Sequence, residues 1–283
     1  MKRLNEEAVI QRFNNKQQYM NLRELNYSRY FLVVSDGEHF PQQALTAAAQ
    51  FAQGFEKGLC LLVWNDTQTD AFATQWAQFS SALSCPVLSG CYTGTYDDLV
   101  AMTERTETPM VFFEVAKKSS INKVMPIFKG LRGLRIPFIL LKDTMHVETF
   151  NNVAVPVTFL PEEKEKAPYS SNMGRFLQSA LHVVIAKDYG TKAQKNATAI
   201  TGLYDKFQLS YQTEMGTKDS FKVEKEVTLS APKKGYDMVI ISTSRDYGLD
   251  DIILGPKEQH IFQATQVPLM CINPRGDLYV LCW

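Results

Sequence analysis

The chain has 283 residues, 45% hydrophobic and 21% charged, and its 30 basic residues balance its 30 acidic residues. This length suffices for one large or two medium domains, each with a buried core. A net charge of zero provides no positive field for a phosphodiester backbone, so we expect no nucleic-acid partner. No segment approaches the roughly 20 apolar residues of a transmembrane helix, and no apolar run follows the first basic residues. We therefore expect no membrane association and a cytoplasmic location.

Cysteine and histidine spacing predicts neither a disulfide framework nor a metal site. No two cysteines form a C-x-x-C pair, so we expect buried thiols in a reducing compartment. No two histidines have the spacing of metal ligands. The residues concerned are Cys60, Cys85, Cys91, Cys271 and Cys282, and His39, His146, His182 and His260.

The first half of the chain alternates short apolar runs with amphipathic segments. Residues 1–29 are polar, with a partly helical spacing of apolar residues that predicts a helical N-terminal extension. From residue 30, the pattern predicts five buried strands with four helices between them, and strands connected in this way form a parallel sheet. Residues 30–145 are therefore predicted to form a three-layer α/β domain. The predicted strands are Tyr30–Val34, Leu59–Trp64, Pro86–Ser89, Met110–Val115 and Ile136–Leu141.

The second half repeats this order of elements. The first three strand signals recur 122 positions later without a gap, and the fourth and fifth recur at offsets of 128 and 131. The repeat predicts a second domain over residues 152–283, after a polar boundary at 143–152. The chain ends in Gly276–Trp283, a β-prone apolar segment that could cover a sheet edge or pair with another subunit.

Several local sequences of the second half resemble motifs of the universal stress protein family. Val155–Val157 is similar to the family's first strand, Leu181–Val183 to its second, and Tyr236–Ile241 to its fourth. Leu254–Ile261, followed by Val267–Met270, looks like the helix opening and the strand that end the family's domain. The resemblance implies two tandem Rossmann-like (adenine nucleotide alpha hydrolase-like) domains, each a five-stranded parallel sheet flanked by helices.

The family's ATP-binding loop is incomplete in this chain. ATP-binding members have a glycine, two residues, a second glycine, nine residues, a third glycine and then Ser or Thr, which lets backbone amides approach the phosphates. The corresponding positions here are Ser242, Arg245, Gly255 and Pro256, and Thr158 replaces the aspartate of the first strand. Two of the three glycines are missing, so the resemblance predicts that standard ATP binding is lost.

Eight residues remain as candidate nucleotide contacts through the resemblance. Ser242, Ser244, Arg245 and Lys257 could bind an anion by their side chains, or could simply form a solvated polar loop. Asp36 could contact a ribose or adenine, but Ser-Asp-Gly is also a strong turn signal, and the turn is the favoured interpretation. The candidates are Asp36, Pro156, Thr158, Val183, Ser242, Arg245, Gly255 and Lys257.

Two further expectations concern charge and association. The run Glu162–Lys166 predicts an exposed, solvated first turn of a helix. In the resembling family, homodimers commonly meet through the last strand of the sheet. The two halves are therefore expected to form an internal pseudo-dimer across Ile136–Leu141 and Val267–Ile272, and a homodimer is possible as well.

These observations favour a non-enzymatic, tandem universal stress-type protein without a cofactor, acting as a regulatory or partner-binding module whose protein partner is unknown. The alternative is a stress protein that binds ATP or AMP, with slow ATP hydrolysis, through an altered phosphate loop. A related α/β enzyme would need an acid, base or metal constellation that the sequence does not contain.

Overall fold

The computed structural model describes residues 9–10, 20–21, 29–64, 69–116, 121–244 and 256–275. Its strands are β1 (Val9–Ile10), β2 (Met20–Asn21), β3 (Tyr30–Ser35), β4 (Gly58–Trp64), β5 (Val87–Tyr92), β6 (Val111–Val115), β7 (Phe138–Lys142), β8 (Asn152–Val157), β9 (Ala180–Ile185), β10 (Tyr211–Met215), β11 (Met238–Ser242) and β12 (Leu269–Ile272). Its α-helices are α1 (Gln42–Gly54), α2 (Asp70–Ser81), α3 (Tyr96–Thr106), α4 (Ile121–Gly130), α5 (Lys166–Phe176), α6 (Lys192–Lys206), α7 (Val223–Lys234) and α8 (Lys257–Ala264).

A single ten-stranded sheet forms the centre of the molecule. Its strand order is β10-β9-β8-β11-β12-β7-β6-β3-β4-β5. Neighbouring strands are parallel throughout, except for the antiparallel pair of β7 and β12. In each half, the first strand therefore lies between the second and the fourth.

The apolar runs that predict the strands are buried on both faces of the sheet. Phe31, Leu32 and Val33 of β3 have no exposed surface, because helices cover both sides. Phe31 packs edge-to-face on Phe51 of α1 and on Phe112 of β6, with ring centroids 5.7 and 6.1 Å apart. Such aromatic pairs add to the stability gained from burial. The predicted α/β class is thus confirmed.

The two halves of the sheet join through their last strands. Leu140, Ile139 and Phe138 of β7 lie opposite Leu269, Met270 and Cys271 of β12. This is the pairing predicted between Ile136–Leu141 and Val267–Ile272. Buried Asn273, which follows β12, also connects the two halves by hydrogen bonds. Its Nδ2 donates to the carbonyls of Leu131 and Leu134 at 2.7 and 2.9 Å.

The structure departs from the predicted elements at the N-terminus and at the third strand of the second half. Val9–Ile10 and Met20–Asn21 pair as antiparallel strands, which contradicts the predicted helix at these four residues. The rest of the predicted extension up to residue 28 lies outside the described residues. The third strand of the second half, predicted over residues 207–213, instead begins at Tyr211, because Gln208 takes a left-handed turn with φ of 54° after α6.

The tail 276–283 also lies outside the described residues, so the prediction of a C-terminal strand stays a prediction. In the part of the chain that the structure describes, no helix is both long and apolar enough to cross a bilayer.

Candidate functional site

The candidate site lies at the carboxyl ends of β8 and β11. From β8 the chain passes to β9 on one side, and later returns through β11 on the other side. This change of direction opens a crevice outside the strand ends, which is where open α/β sheets bind ligands. Ser242 at the end of β11 and Lys257 at the start of α8 both border this crevice.

The carboxylate of Glu224 binds the hydrogen-bond donors of this crevice. Glu224 lies in the first turn of α7 and its side chain is 5% exposed. Its Oε1 accepts a hydrogen bond from the backbone N–H of Ser242 at 3.0 Å and lies 3.1 Å from Nζ of Lys166. Its Oε2 lies 2.8 Å from Nζ of Lys257. A backbone N–H and two ammonium groups are the donors that a phosphate would need, and here an internal carboxylate engages all three.

Lys166 and Glu163 extend this network into the protein interior. Both side chains have no exposed surface, and Lys166 Nζ lies 2.7 Å from Glu163 Oε2. The same ammonium group donates to the carbonyl of Pro156 at 2.7 Å, and Glu163 Oε2 accepts from the backbone N–H of Thr158 at 3.2 Å. An ammonium group can be buried at this depth because three acceptors replace its water shell.

The predicted exposed turn at Glu162–Lys166 is therefore wrong for two of its five residues. Residues Pro161–Glu165 form a 3-10 turn, in which side chains three positions apart point to the same side. Glu163 and Lys166 share the inward side, whereas Lys164 is exposed. Sequence reasoning missed Glu163, Lys166 and Glu224, and the spacing of three between Glu163 and Lys166 is the one local signal that could have indicated a pair.

A second internal contact engages the loop after β11. The backbone N–H and the hydroxyl of Ser244 donate to the carboxylate of Glu258 at 3.3 and 2.8 Å. Glu258 is fully buried in the first turn of α8. Two ammonium groups, of Lys166 and Lys257, thus face three carboxylates, of Glu163, Glu224 and Glu258. This described part of the crevice carries no surplus of positive charge for a phosphate chain.

The charge network shifts the pKa of both groups that face the crevice. Burial raises the pKa of Glu224, but the ammonium groups of Lys257 and Lys166 outweigh burial and lower the pKa to about 2. Burial lowers the pKa of Lys257, yet the attraction of Glu224 prevails and raises it above its ordinary value. Both groups are therefore ionised at neutral pH.

We expect the Glu224 contribution to stability to be lost in acid. The folded-state pKa lies below the unfolded value near 4.5, so the contribution is complete above about pH 4.5 and vanishes as the pH falls through about 2. Its full size is about 3 kcal/mol. Urea unfolding of the wild type and of Glu224→Gln from pH 6 to pH 2.5 measures it, with the gap between the two proteins narrowing as the pH falls. A gap that stays constant over this range would contradict the ionised state of Glu224.

The structure brings together four of the eight candidate contacts. Pro156, Thr158, Ser242 and Lys257 meet around the network of Glu163, Lys166 and Glu224. The Thr158 hydroxyl accepts from the backbone N–H of Leu160 at 3.3 Å, so it serves the local turn. Of the remaining candidates, Val183 is fully buried inside β9 and Asp36 belongs to the first half. Arg245 and Gly255 lie outside the described residues.

The matching crevice of the first half, between β3 and β6, also contains a carboxylate. Glu114 is at the end of β6, and its Oε2 accepts hydrogen bonds from the backbone N–H groups of Gln43 and Ala44 at 2.7 and 2.9 Å. These are free N–H groups of the first turn of α1, which has no side-chain cap of its own. Burial raises the pKa of Glu114, although these two hydrogen bonds oppose the shift.

Asp36 forms the turn that its sequence context favours. Its Oδ1 accepts from the backbone N–H of Glu38 at 3.0 Å, and Gly37 takes a left-handed conformation with φ of 76°. The same oxygen lies 3.5 Å from Nδ1 of His39, and this contact raises the pKa of His39 above its ordinary value. His39 Nε2 in turn lies 3.7 Å from Glu114 Oε1. No group of three potential metal ligands occurs among the described residues.

Solved structures with the same architecture include universal stress proteins. One from Archaeoglobus fulgidus is 13% identical and superposes with a TM-score of 0.63 over 91% of this chain and 100% of its own. One from Pseudomonas aeruginosa is 15% identical, with a TM-score of 0.59 over 88% of this chain and 95% of its own. The chain has the universal stress protein fold.

The same fold occurs in one domain of a cotransporter. The cytoplasmic domain of a prokaryotic cation chloride cotransporter is 12% identical and superposes with a TM-score of 0.56 over 89% of this chain and 98% of its own. No protein-family model and no curated protein matches the chain in sequence. Within the universal stress protein fold, the described part of the crevice between β8 and β11 is thus bordered by carboxylates that engage its own cations.

Proposed function

We propose that this chain is a tandem universal stress protein that acts in the cytoplasm as a non-enzymatic regulatory or partner-binding module. We also propose that it has lost standard ATP binding. The observation that carries the proposal is the carboxylate of Glu224. It accepts the N–H of Ser242 and pairs with Lys166 and Lys257, so an incoming phosphate would have to displace a buried carboxylate from each of these donors. Displacement would leave that carboxylate buried without its partners, which is costly.

A carboxylate at a helix N-terminus in each half also supports this proposal. In the first half, Glu114 accepts the N–H groups at the start of α1, and in the second half Glu258 lies in the first turn of α8. A helix N-terminus attracts anions through its free N–H groups and dipole, and here the protein's own carboxylates lie at both. The fold also occurs as the cytoplasmic domain of a cation chloride cotransporter, so it is not confined to proteins that are named for stress.

Thermal denaturation with ATP, ADP, AMP and cyclic AMP tests the proposal. We expect no rise in melting temperature with any of them. A bound ligand at about 100 times its dissociation constant would stabilise the folded state by about 2.7 kcal/mol, which is readily detected.

A clear rise would overturn the proposal in favour of the alternative, an adenine-nucleotide-binding protein with an altered phosphate loop. In that case Arg245→Ala should weaken the effect, because Arg245 stands at a position of the family's loop. Glu224→Gln provides a further comparison, because it keeps the side-chain volume and removes the charge that engages Lys166 and Lys257.

A further inference from the structure

Three loops at the carboxyl ends of β8, β9 and β10 are bound to one another by hydrogen bonds. The backbone N–H of Lys187 donates to the carbonyl of Lys218 at 2.8 Å, and that of Ser220 donates to Oδ1 of Asp188 at 2.9 Å. The Ser220 hydroxyl also bonds to Asp188, and it accepts from the backbone N–H of Phe159 at 2.9 Å. These loops are therefore held in one defined arrangement.

This arrangement presents two aromatic side chains to solvent. Tyr189 is fully exposed, and Phe221 is 82% exposed although its ring has an edge contact with Phe159 at 5.7 Å. Exposed aromatic rings on ordered loops contribute nothing to the core, whereas rings of this kind are enriched at protein interfaces.

The charged groups of residues 187–192 and 216–222, in the loops that follow β9 and β10, are divided by role. The two acids of these segments shape the loops: Asp188 binds Ser220, and Asp219 accepts from the backbone N–H of Phe221 at 3.1 Å. Glu226 of α7 also contacts them, because its carboxylate accepts from the backbone N–H groups of Thr217 and Lys218 at 3.0 and 3.1 Å. The four lysines are exposed, and none of them belongs to an ion pair among the described residues. They are Lys187, Lys192, Lys218 and Lys222. A protein without net charge thus has a local excess of positive charge around two exposed rings.

We propose that residues 187–192 and 216–222, the lysine–aromatic surface, bind an acidic segment of a partner protein that carries apolar side chains among its carboxylates. Complementary charge would guide the encounter, and the rings would supply the buried apolar contacts that hold the segment. The loops contain lysine and no arginine, so they lack the planar fork that recognises phosphate groups bidentately. The proposal rests on the partner-binding role and adds the place and the chemistry of the partner.

Fluorescence anisotropy with the full chain and a labelled peptide, rich in glutamate and containing leucines, tests this surface. We expect saturable binding at 50 mM NaCl that weakens about tenfold or more at 200 mM, because exposed charges are screened by salt. Phe221→Ala should weaken binding about tenfold, as for the central contacts of an interface. Lys187→Glu combined with Lys222→Glu should weaken it further.

Two matched variants on α7 serve as controls. Leu229→Ala removes an exposed apolar side chain, and Lys233→Glu reverses an exposed charge, both outside the lysine–aromatic surface. Neither should change binding by more than about twofold. Unchanged melting temperatures would show that each variant remains folded.

Three outcomes would overturn the proposal. The first is the absence of saturable peptide binding, and the second is a loss of peptide affinity in the α7 controls equal to that in Phe221→Ala. The third is binding to phosphatidylserine vesicles or to oligo(dT) that is tighter than binding to the peptide and that Phe221→Ala abolishes. None of these results involves the crevice between β8 and β11, so they leave the nucleotide test of the proposed function unaffected.

Discussion

Replacing Lys166 by methionine is expected to lower the free energy of unfolding by about 3–5 kcal/mol, as for a buried ion pair that loses one partner. The ammonium group of Lys166 neutralises Glu163 and Glu224 in a region without exposed surface, and methionine has a similar length but no charge. The two carboxylates would then repel each other in the interior. Urea denaturation at pH 7, monitored by circular dichroism, measures the change.

The matched control is Lys164→Met, two residues earlier in the same turn. Lys164 is exposed, so its replacement should change the free energy of unfolding by less than about 0.5 kcal/mol. Equal effects of the two variants at pH 7 would show that the network does not contribute to stability.

Replacing Ile139 by aspartate is expected to destabilise the protein by about 4 kcal/mol or more, enough to leave little folded material. Ile139 has no exposed surface and lies on β7 between Phe112 of β6 and Met270 of β12. A carboxylate at this position would be buried without a partner, at the strand pair that joins the two halves of the sheet. Soluble yield and circular dichroism measure the outcome.

Ile139→Val is the control for this position. It keeps the β-branched shape and removes one methyl group, so it should cost only about 0.5–1.5 kcal/mol. An aspartate variant as stable as the valine variant would show that β7 and β12 are not packed against each other in solution.

The strands could be predicted because each is encoded by its own apolar run. The strands at Tyr30–Val34 and Leu59–Trp64 could be predicted from their own residues alone, since a strand buried on both faces is apolar at nearly every position. The junction between the halves followed from the resemblance, because the last strand of each half would otherwise be an open edge. The third strand of the second half was predicted to begin at residue 207, four residues too early, because the turn at Gln208 has no strong local signal.

The candidate site could be predicted only in part. The missing glycines and the positions of Ser242 and Lys257 are visible in the sequence, and they led to the expectation that standard ATP binding is lost. The carboxylates that engage these donors were not visible. Glu163 and Lys166 lie in a run of alternating charges that is typical of a solvated surface, and burial depends on what packs over that run.

The sequence by itself determined the α/β class, the repeated strand order and the loss of two loop glycines, because each is a property of a short stretch of residues. Only the tertiary structure decided what fills the crevice between β8 and β11. Lys166 and Glu224 are 58 positions apart, and a contact at that separation leaves no local pattern. Their burial is tolerated because the fold supplies both charges and the backbone groups that replace their water.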